Sequence, residues 1–233
     1  MRRSPPDGHC EDNGVMAAEY ELRLANEDDL DGAENLTASV CAWLRSKGTD
    51  QWQRPGPDDD GRVTRVRAAL AAGKTWVLVD GRTRIAMITV DWQAVTPGLP
   101  VLWNEDERAE PAAYDHRMAV LRDPAYAGHG LGVRLLDWTG RLAAEAYGAR
   151  YVRLDAWTSN SGLHRYYKDI GFDMKRTYEE EEINCPSGAM FEKPLDRCTS
   201  PLSGIVVNDA DADRWTAAAR ASQDAKVAQV AGR

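Results

Sequence analysis

The chain has 233 residues, with 29 Lys and Arg against 37 Asp and Glu and a formal net charge of -8. That length allows one domain with a sizeable core plus tails, and the acidic balance argues against a nucleic-acid partner, which wants a basic face. No apolar run approaches the length of a membrane span, and Met1-Arg2-Arg3 leads into Ser4-Pro5-Pro6-Asp7 with no apolar stretch behind it, unlike a signal peptide.

Residues 1–18 are polar, contain Pro and Gly, and are expected to be a disordered tail. Tyr20–Leu24 alternates apolar and polar, a short first strand. Asn26 then caps a helix whose Leu30, Ala33, Leu36, Val40, Trp43 and Leu44 form one stripe, closed by Gly48. The loop Thr49–Asp60 holds Gln51, Trp52 and two prolines. A second helix carries Val63, Val66 and Leu70. Thr75–Val79 and Ile85–Trp92 read as a hairpin around Asp80-Gly81. A long connection with prolines and acids, Thr96–Ala113, leads into a strand at Tyr114–Val120.

A glycine-rich loop follows, Gly128-His129-Gly130-Leu131-Gly132. Alternate glycines let the backbone approach a ligand and align its N–H groups. The next helix is set by Leu131, Leu135, Trp138, Leu142 and Ala146, with Gly148 as its C-terminal cap. Its first amides and its dipole add to the cradle, so the segment suits a phosphate. A dinucleotide-binding loop would need a further glycine where Val133 or Leu135 stands, directly after the strand. A P-loop would need Lys-Ser or Lys-Thr after its last glycine. Both are absent.

Tyr151–Trp157 reads as the next strand, followed by a helix ending at Gly171-Phe172. Asp173–Tyr178 and Gly188–Leu195 form a last hairpin, and the run Glu179–Glu182 between them reads as a solvated charged turn. Asp209–Val230 has helical composition, with alanines throughout and acids at its start. Its apolar face is thin, with Trp215, Val227 and Val230 as the large residues. It either packs on the domain, serves a homodimer interface, or stays disordered. The four cysteines, Cys10, Cys41, Cys185 and Cys198, show no metal spacing. They read as free thiols of a reducing cytoplasm, Cys10 and Cys198 in tails. No metal site is expected.

Residues 114–172 resemble the GNAT superfamily of N-acetyltransferases, which bind acetyl-CoA. The resemblance rests on the strand Tyr114–Val120, the loop Ala127-Gly128-His129-Gly130-Leu131-Gly132, the strand Tyr151–Trp157, and the sequence Asn160, Tyr167, Gly171, Phe172. One position departs: Ala127 stands where the family usually has Gln or Arg. The resemblance implies an α/β (α+β) fold with a central mixed, mostly antiparallel twisted sheet of about six to seven strands, flanked by about four helices. The domain is then residues 19–198, with 199–233 as a C-terminal extension. It further implies that Met118, Ala119 and Val120 hold the pantetheine arm of CoA through their backbone, and that Gly128, His129, Gly130, Leu131, Gly132 and Val133 hold the pyrophosphate. Asn160 matches a cofactor contact, and Tyr167 the general acid.

Acetyl transfer to an amine needs a base for the ammonium proton, an oxyanion donor and an acid for the departing sulfur. Tyr167 suits the acid, because a phenol stays protonated at neutral pH; Tyr166 beside it reads as core or surface. For the base there are two candidates. His116 stands two residues before Met118, which places both on one strand face, and arylalkylamine acetyltransferases of the superfamily have a histidine there. Asp155 falls where some protein N-terminal acetyltransferases have Glu. A water chain can replace both. Trp52, Asp155 and Trp157, with Trp103 as a further wall, suggest an acidic, aromatic-lined pocket for a cationic amine. The implied activity is acetyl transfer from acetyl-CoA to a small-molecule amine by direct attack in a ternary complex. Acetylation of a protein N-terminus or lysine is the alternative within the family; a non-catalytic CoA-binding module is the alternative outside it.

Overall fold

The computed structural model describes residues 19–53, 61–94 and 101–231. The tail at 1–18 with its Cys10, and parts of both long loops, lie outside the described residues. So do the side chains of Val63, Val227 and Val230.

Strand β1 (Tyr20–Leu24) buries Tyr20, Leu22 and Leu24. The Asn26 side chain accepts from the Asp28 amide, and the Asp29 carboxylate accepts from the Asn26 amide. This capping box starts a tight turn that runs into α1 (Leu30–Ser46). Helix α2 (Gly61–Ala71) precedes the hairpin β2 (Thr75–Asp80) and β3 (Thr83–Asp91), which turns at Gly81 with φ 55°. The acidic connection contains α3 (Glu105–Ala109), started by an Asn104–Glu107 capping box. Then come β4 (Ala112–Val120), α4 (Leu131–Tyr147), β5 (Tyr151–Ala156) and α5 (Ser161–Asp169). The chain continues through β6 (Asp173–Thr177), α6 (Glu180–Ile183), β7 (Ala189–Pro194), β8 (Ile205–Val207) and α7 (Asp209–Ala231).

One eight-stranded sheet runs in the order β6-β7-β5-β4-β3-β2-β1-β8. Among the described residues only β4–β5 and β1–β8 are parallel. The sheet is therefore mixed and mostly antiparallel, as the resemblance implies, with one strand more than expected. The extra strand is β8, which comes from beyond the expected domain end. The surplus of helices has similar sources: α3 and α6 are short turns inside connections, and α7 belongs to the extension.

Each face of the sheet is covered. On one face α4 sets Leu135, Leu136, Trp138 and Leu142 against Trp76, Ile88, Val152 and Leu154, with Trp138 edge-on to Trp76 at 4.7 Å. On the other, Ala33, Leu36, Val40 and Leu44 of α1 and Val66 and Leu70 of α2 pack on Val77, Val79, Met87 and Ala119. Helix α7 lies along α4. Its Trp215 is 1 % exposed, edge-on to Trp92 at 5.5 Å, and Arg220 donates to the Ala146 and Glu145 carbonyls at the end of α4. The extension thus packs on its own chain. Cys198 is not in a loose tail either: it is buried against α4, and a Cβ on Gly140 would come within 3.3 Å of its sulfur.

Two buried charge groups tie distant segments. Lys193 of β7 pairs with Asp137 of α4 at 2.6 Å, with both side chains almost wholly buried, and the Ser200 amide donates to the same carboxylate. Arg153 of β5, wholly buried, holds Glu192 and Glu110 and lies over the Trp103 ring at 4.9 Å.

Candidate active site

Strands β4 and β5 pair in parallel from Ala112–Tyr151 to Asp115–Leu154, although β4 runs on to Val120. Past that rung the pairing ends while both strands continue, so the ladder opens there. The parting has a local cause. Strand β3 pairs Thr89 with His116 and Met87 with Ala119, so β4 carries one residue more than β3 across that span. Arg117 absorbs the excess with a left-handed φ of 51°. This is a β-bulge, and bulges bend their strand. Part of the backbone of Met118, Ala119 and Val120 then lies on the side that β5 has left.

The bulge overturns the expectation that His116 and Met118 share a face. Thr89 and Met87 are two apart on regular β3, so their partners His116 and Ala119 face the same way. Ala119 packs with the α1–α2 cluster, whereas Met118 packs on the α4 side. A spacing of two predicts a shared face only where no residue is inserted.

On its own face His116 meets Asp155, Nδ1 to Oδ1 at 3.5 Å, with the side chains 18 % and 30 % exposed. The two candidate bases are thus one pair. Burial alone would raise the Asp155 carboxyl; His116, and then Ser187, outweigh it and hold the group below the usual carboxylate value. The other ring nitrogen of His116, Nε2, is buried and has no partner among the described residues.

Asp115, next in the chain, points the opposite way. It accepts from Thr139 of α4 at 2.7 Å, and its second oxygen is buried without a partner among the described residues. Burial pushes its carboxyl up to about 8, against the pull of Thr139. The fold therefore holds Asp115 protonated at neutral pH. An acid raised on folding costs no stability below its unfolded value of about 4, and costs progressively more as pH climbs to the folded value. Asp115→Asn removes that cost. Its melting temperature relative to the native protein should climb from about pH 5 to about pH 9, and the difference should be least at the acid end. A difference that stays constant with pH would show that the folded carboxyl is already ionised at pH 5, as it is in the unfolded chain.

The head of α4 closes one end of the opening. Gly128 and Gly130 hold φ of 79° and 62°, and among the described residues no side chain caps the helix. Gly132 has a steric role: a Cβ there would fall 2.6 Å from the Tyr166 hydroxyl and 3.6 Å from Met118 Cε. Leu131 is buried in the α4 core, while the His129 ring turns back to Tyr20, 3.3 Å from its hydroxyl. The first-turn amides through Val133 remain for a ligand.

Helix α5 supplies the opposite side. Asn160 caps it, accepting from the Leu163 amide at 2.9 Å, and donates to Gln51 at 2.5 Å. Tyr167 turns inward, 7 % exposed, with its ring 5.6 Å from Phe172 and 5.3 Å from Phe191. Its hydroxyl has no hydrogen-bond partner among the described residues, and burial pushes the phenol above its ordinary value.

The loop after α1 leans on the end of β5. Asp50 accepts from Trp157 Nε1 at 3.0 Å and from Ser159 at 2.9 Å. Trp52 holds a left-handed φ of 59° and packs half-buried on the α1–α2 cluster. Trp157 also lines a hollow of about 260 Å³ with Glu179, Glu180, Glu181 and Pro186. The run expected to be a solvated turn is thus α6, one wall of that hollow. Trp103 is no part of it, being buried beneath Arg153. Asp50, Ser187 and Tyr166 were not singled out as site residues by the sequence; no motif marks them, since their places follow from loop packing. Among the described residues no group of His, Cys, Asp and Glu is arranged to hold a metal ion.

Comparison with known proteins bears on this geometry. Residues 37–172 match the model of the acetyltransferase (GNAT) family. The chain is 28 % identical over 164 residues to the uncharacterized N-acetyltransferase YesJ of Bacillus subtilis (strain 168), covering 70 % of this chain and 86 % of that one. A GNAT-family acetyltransferase of Listeria monocytogenes 4b F2365 superposes with a TM-score of 0.54 at 19 % identity, over 76 % of this chain and 95 % of that one. The PaiA N-acetyltransferase of Thermoplasma acidophilum, solved in complex with coenzyme A, gives 0.54 at 15 % identity over 75 % and 98 %. At such identities the two structures speak for the fold alone, and the family match speaks for more. This chain belongs to the GNAT acetyltransferase family and is an acyltransferase.

Proposed function

We propose that the protein transfers an acetyl group from acetyl-CoA to the amine of a small molecule, by direct attack in a ternary complex. One observation carries this: the His116–Asp155 pair stands where the β4–β5 pairing ends, and β4 leads on to the uncapped glycine head of α4. The cradle fits the cofactor. Gly128 and Gly130 adopt left-handed backbone, and Gly132 leaves no room for a side chain. Gly128 to Val133 would hold the pyrophosphate, and the backbone of Met118, Ala119 and Val120 the pantetheine arm; Asn160, at the head of α5, would add a further contact.

The cofactor supplies a thioester open to attack by a neutral amine. His116, oriented by Asp155, takes the proton that the ammonium must lose. Tyr167 gives the proton that the departing sulfur takes up, and the buried phenol keeps that proton at neutral pH. On the acceptor side stand Asp155, Trp157 and, behind Asp50, Trp52. With Glu179, Glu180 and Glu181 beyond them, this side suits a cationic amine with an apolar body. The free thiols Cys185 and Cys198 suit a reducing cytoplasm.

Calorimetric titration with acetyl-CoA tests the cofactor half. Native protein should bind it, and Gly130→Glu should not, because it forces a side chain and a negative charge into a left-handed position at the cradle. Thiol release with panels of small amines and of peptides then tests the acceptor half. No binding at millimolar cofactor would sink the proposal; turnover of peptides alone would replace the small amine with a protein acceptor.

A further inference from the structure

The loop that faces the proposed phosphates has little positive charge of its own. Ala127 brings none, and Arg134 is spent on the Pro201 and Ser203 carbonyls. Arg122 is different. It stands two residues past the end of β4, between the open backbone of Met118–Val120 and the glycine loop. Its guanidinium lies over the Trp43 ring of α1, 4.2 Å from the centroid, and Lys47 Nζ lies over the same ring at 5.7 Å. No carboxylate pairs with either cation among the described residues. Two like charges gathered on one tryptophan, in a chain of net charge -8, repel each other without a local anion to offset them.

Arg122 also looks across the opening. Its charge acts on the Tyr166 hydroxyl of α5, which itself sits at Gly132 on the head of α4. The side chain is exposed, so a ligand can reach it, yet partial desolvation lowers its pKa. An arginine held on an aromatic ring is pre-organised for bidentate pairing with phosphate oxygens, and little entropy is lost when it pairs.

Resting on the acetyl-CoA reading above, we propose that Arg122, stacked on Trp43, is a cofactor-binding residue that pairs with the CoA diphosphate and supplies the positive charge absent at Ala127. The acyl-CoA site is then split between two parts of the chain. Backbone amides of the α4 head hold the phosphates from one side, and a side chain from the end of β4 neutralises them from the other.

Calorimetry with CoA and with dephospho-CoA, which lacks the 3′-phosphate, tests this on the native protein, Arg122→Ala and Arg122→Lys. Arg122→Ala should weaken both ligands about tenfold to a hundredfold, and its loss should shrink as salt is raised. Arg122→Lys should recover part of the affinity, because the charge returns without the fork. The ligand-free melting temperature should fall by no more than about 4 °C, since the side chain makes no ion pair with a described residue and gives up only its contact with Trp43. Equal affinity in native protein and Arg122→Ala would overturn the assignment and leave the cofactor reading intact. A loss seen with CoA but not with dephospho-CoA would move the contact to the 3′-phosphate and overturn the diphosphate pairing. Failure of the native protein to bind CoA at all would overturn the cofactor reading and this assignment together.

Discussion

Tyr167→Phe is expected to lower kcat about a hundredfold to ten-thousandfold, the usual worth of a positioned general acid. The ring makes the packing contacts, with Phe172 and Phe191 on either side. Removing the hydroxyl therefore costs no contact and breaks no hydrogen bond to a described residue. CoA affinity and melting temperature should stay where they are. The comparison with Tyr166→Phe is informative, because that hydroxyl lies at the head of α4 and not beside the Asp155 end of the opening. Thiol release under saturating acetyl-CoA reads the difference directly. An unchanged kcat in Tyr167→Phe would reduce this residue to a packing role. The base has its own signature: His116→Gln should lower kcat/KM about a hundredfold or more, since an amide takes no proton. Asp155→Asn should lower it less, because the imidazole stays and loses only the carboxylate that orients it.

Lys193→Met should be among the most damaging single changes to stability. The pair with Asp137 is 2 % and 1 % exposed, so removing the ammonium leaves a buried carboxylate with only the Ser200 amide opposite. Breaking such a pair typically costs about 3–5 kcal/mol. For a chain of this size that is a melting temperature lower by roughly 6–20 °C. The double variant Asp137→Leu, Lys193→Met should recover most of the loss, because it removes the stranded charge along with its partner. Chemical denaturation of the two single variants and the double gives the coupling. A double variant no better than the singles would mean that the pair fixes geometry which apolar side chains cannot reproduce.

The parts of this fold that could be read in the sequence are those with local causes. Helix α4 follows from its apolar spacing and its C-terminal Gly148, and the hairpin of β2 and β3 from the Asp80-Gly81 turn. The glycine loop was legible because glycine adopts left-handed backbone without steric cost. What could not be read depends on register. The bulge falls on Arg117, a residue with no turn preference, so nothing warned that the alternation from His116 to Met118 would break. The pairing of His116 with Asp155 joins two parallel strands separated by a helix, and sequence spacing does not encode that rung. Strand β8 is three residues long and follows a Gly-containing stretch, too short for any periodicity to show. The wall made by α6 looked like a charged turn because Glu179, Glu180 and Glu181 carry no apolar signal.

The pairing of β1 with β8 sets an order of events during synthesis. Tyr20 is among the first residues of the domain to leave the ribosome, and its neighbour Ile205 is among the last. Until that late segment emerges, one edge of β1 has no partner, and the surface of α4 that receives Trp215 stays open to water and to other nascent chains. Contacts so distant in sequence close slowly. The nascent chain thus carries an unpaired strand edge through most of translation, the condition in which aggregation competes with folding. Slowing elongation should not help such a protein, whereas a chaperone that shields β1 until residue 205 appears should.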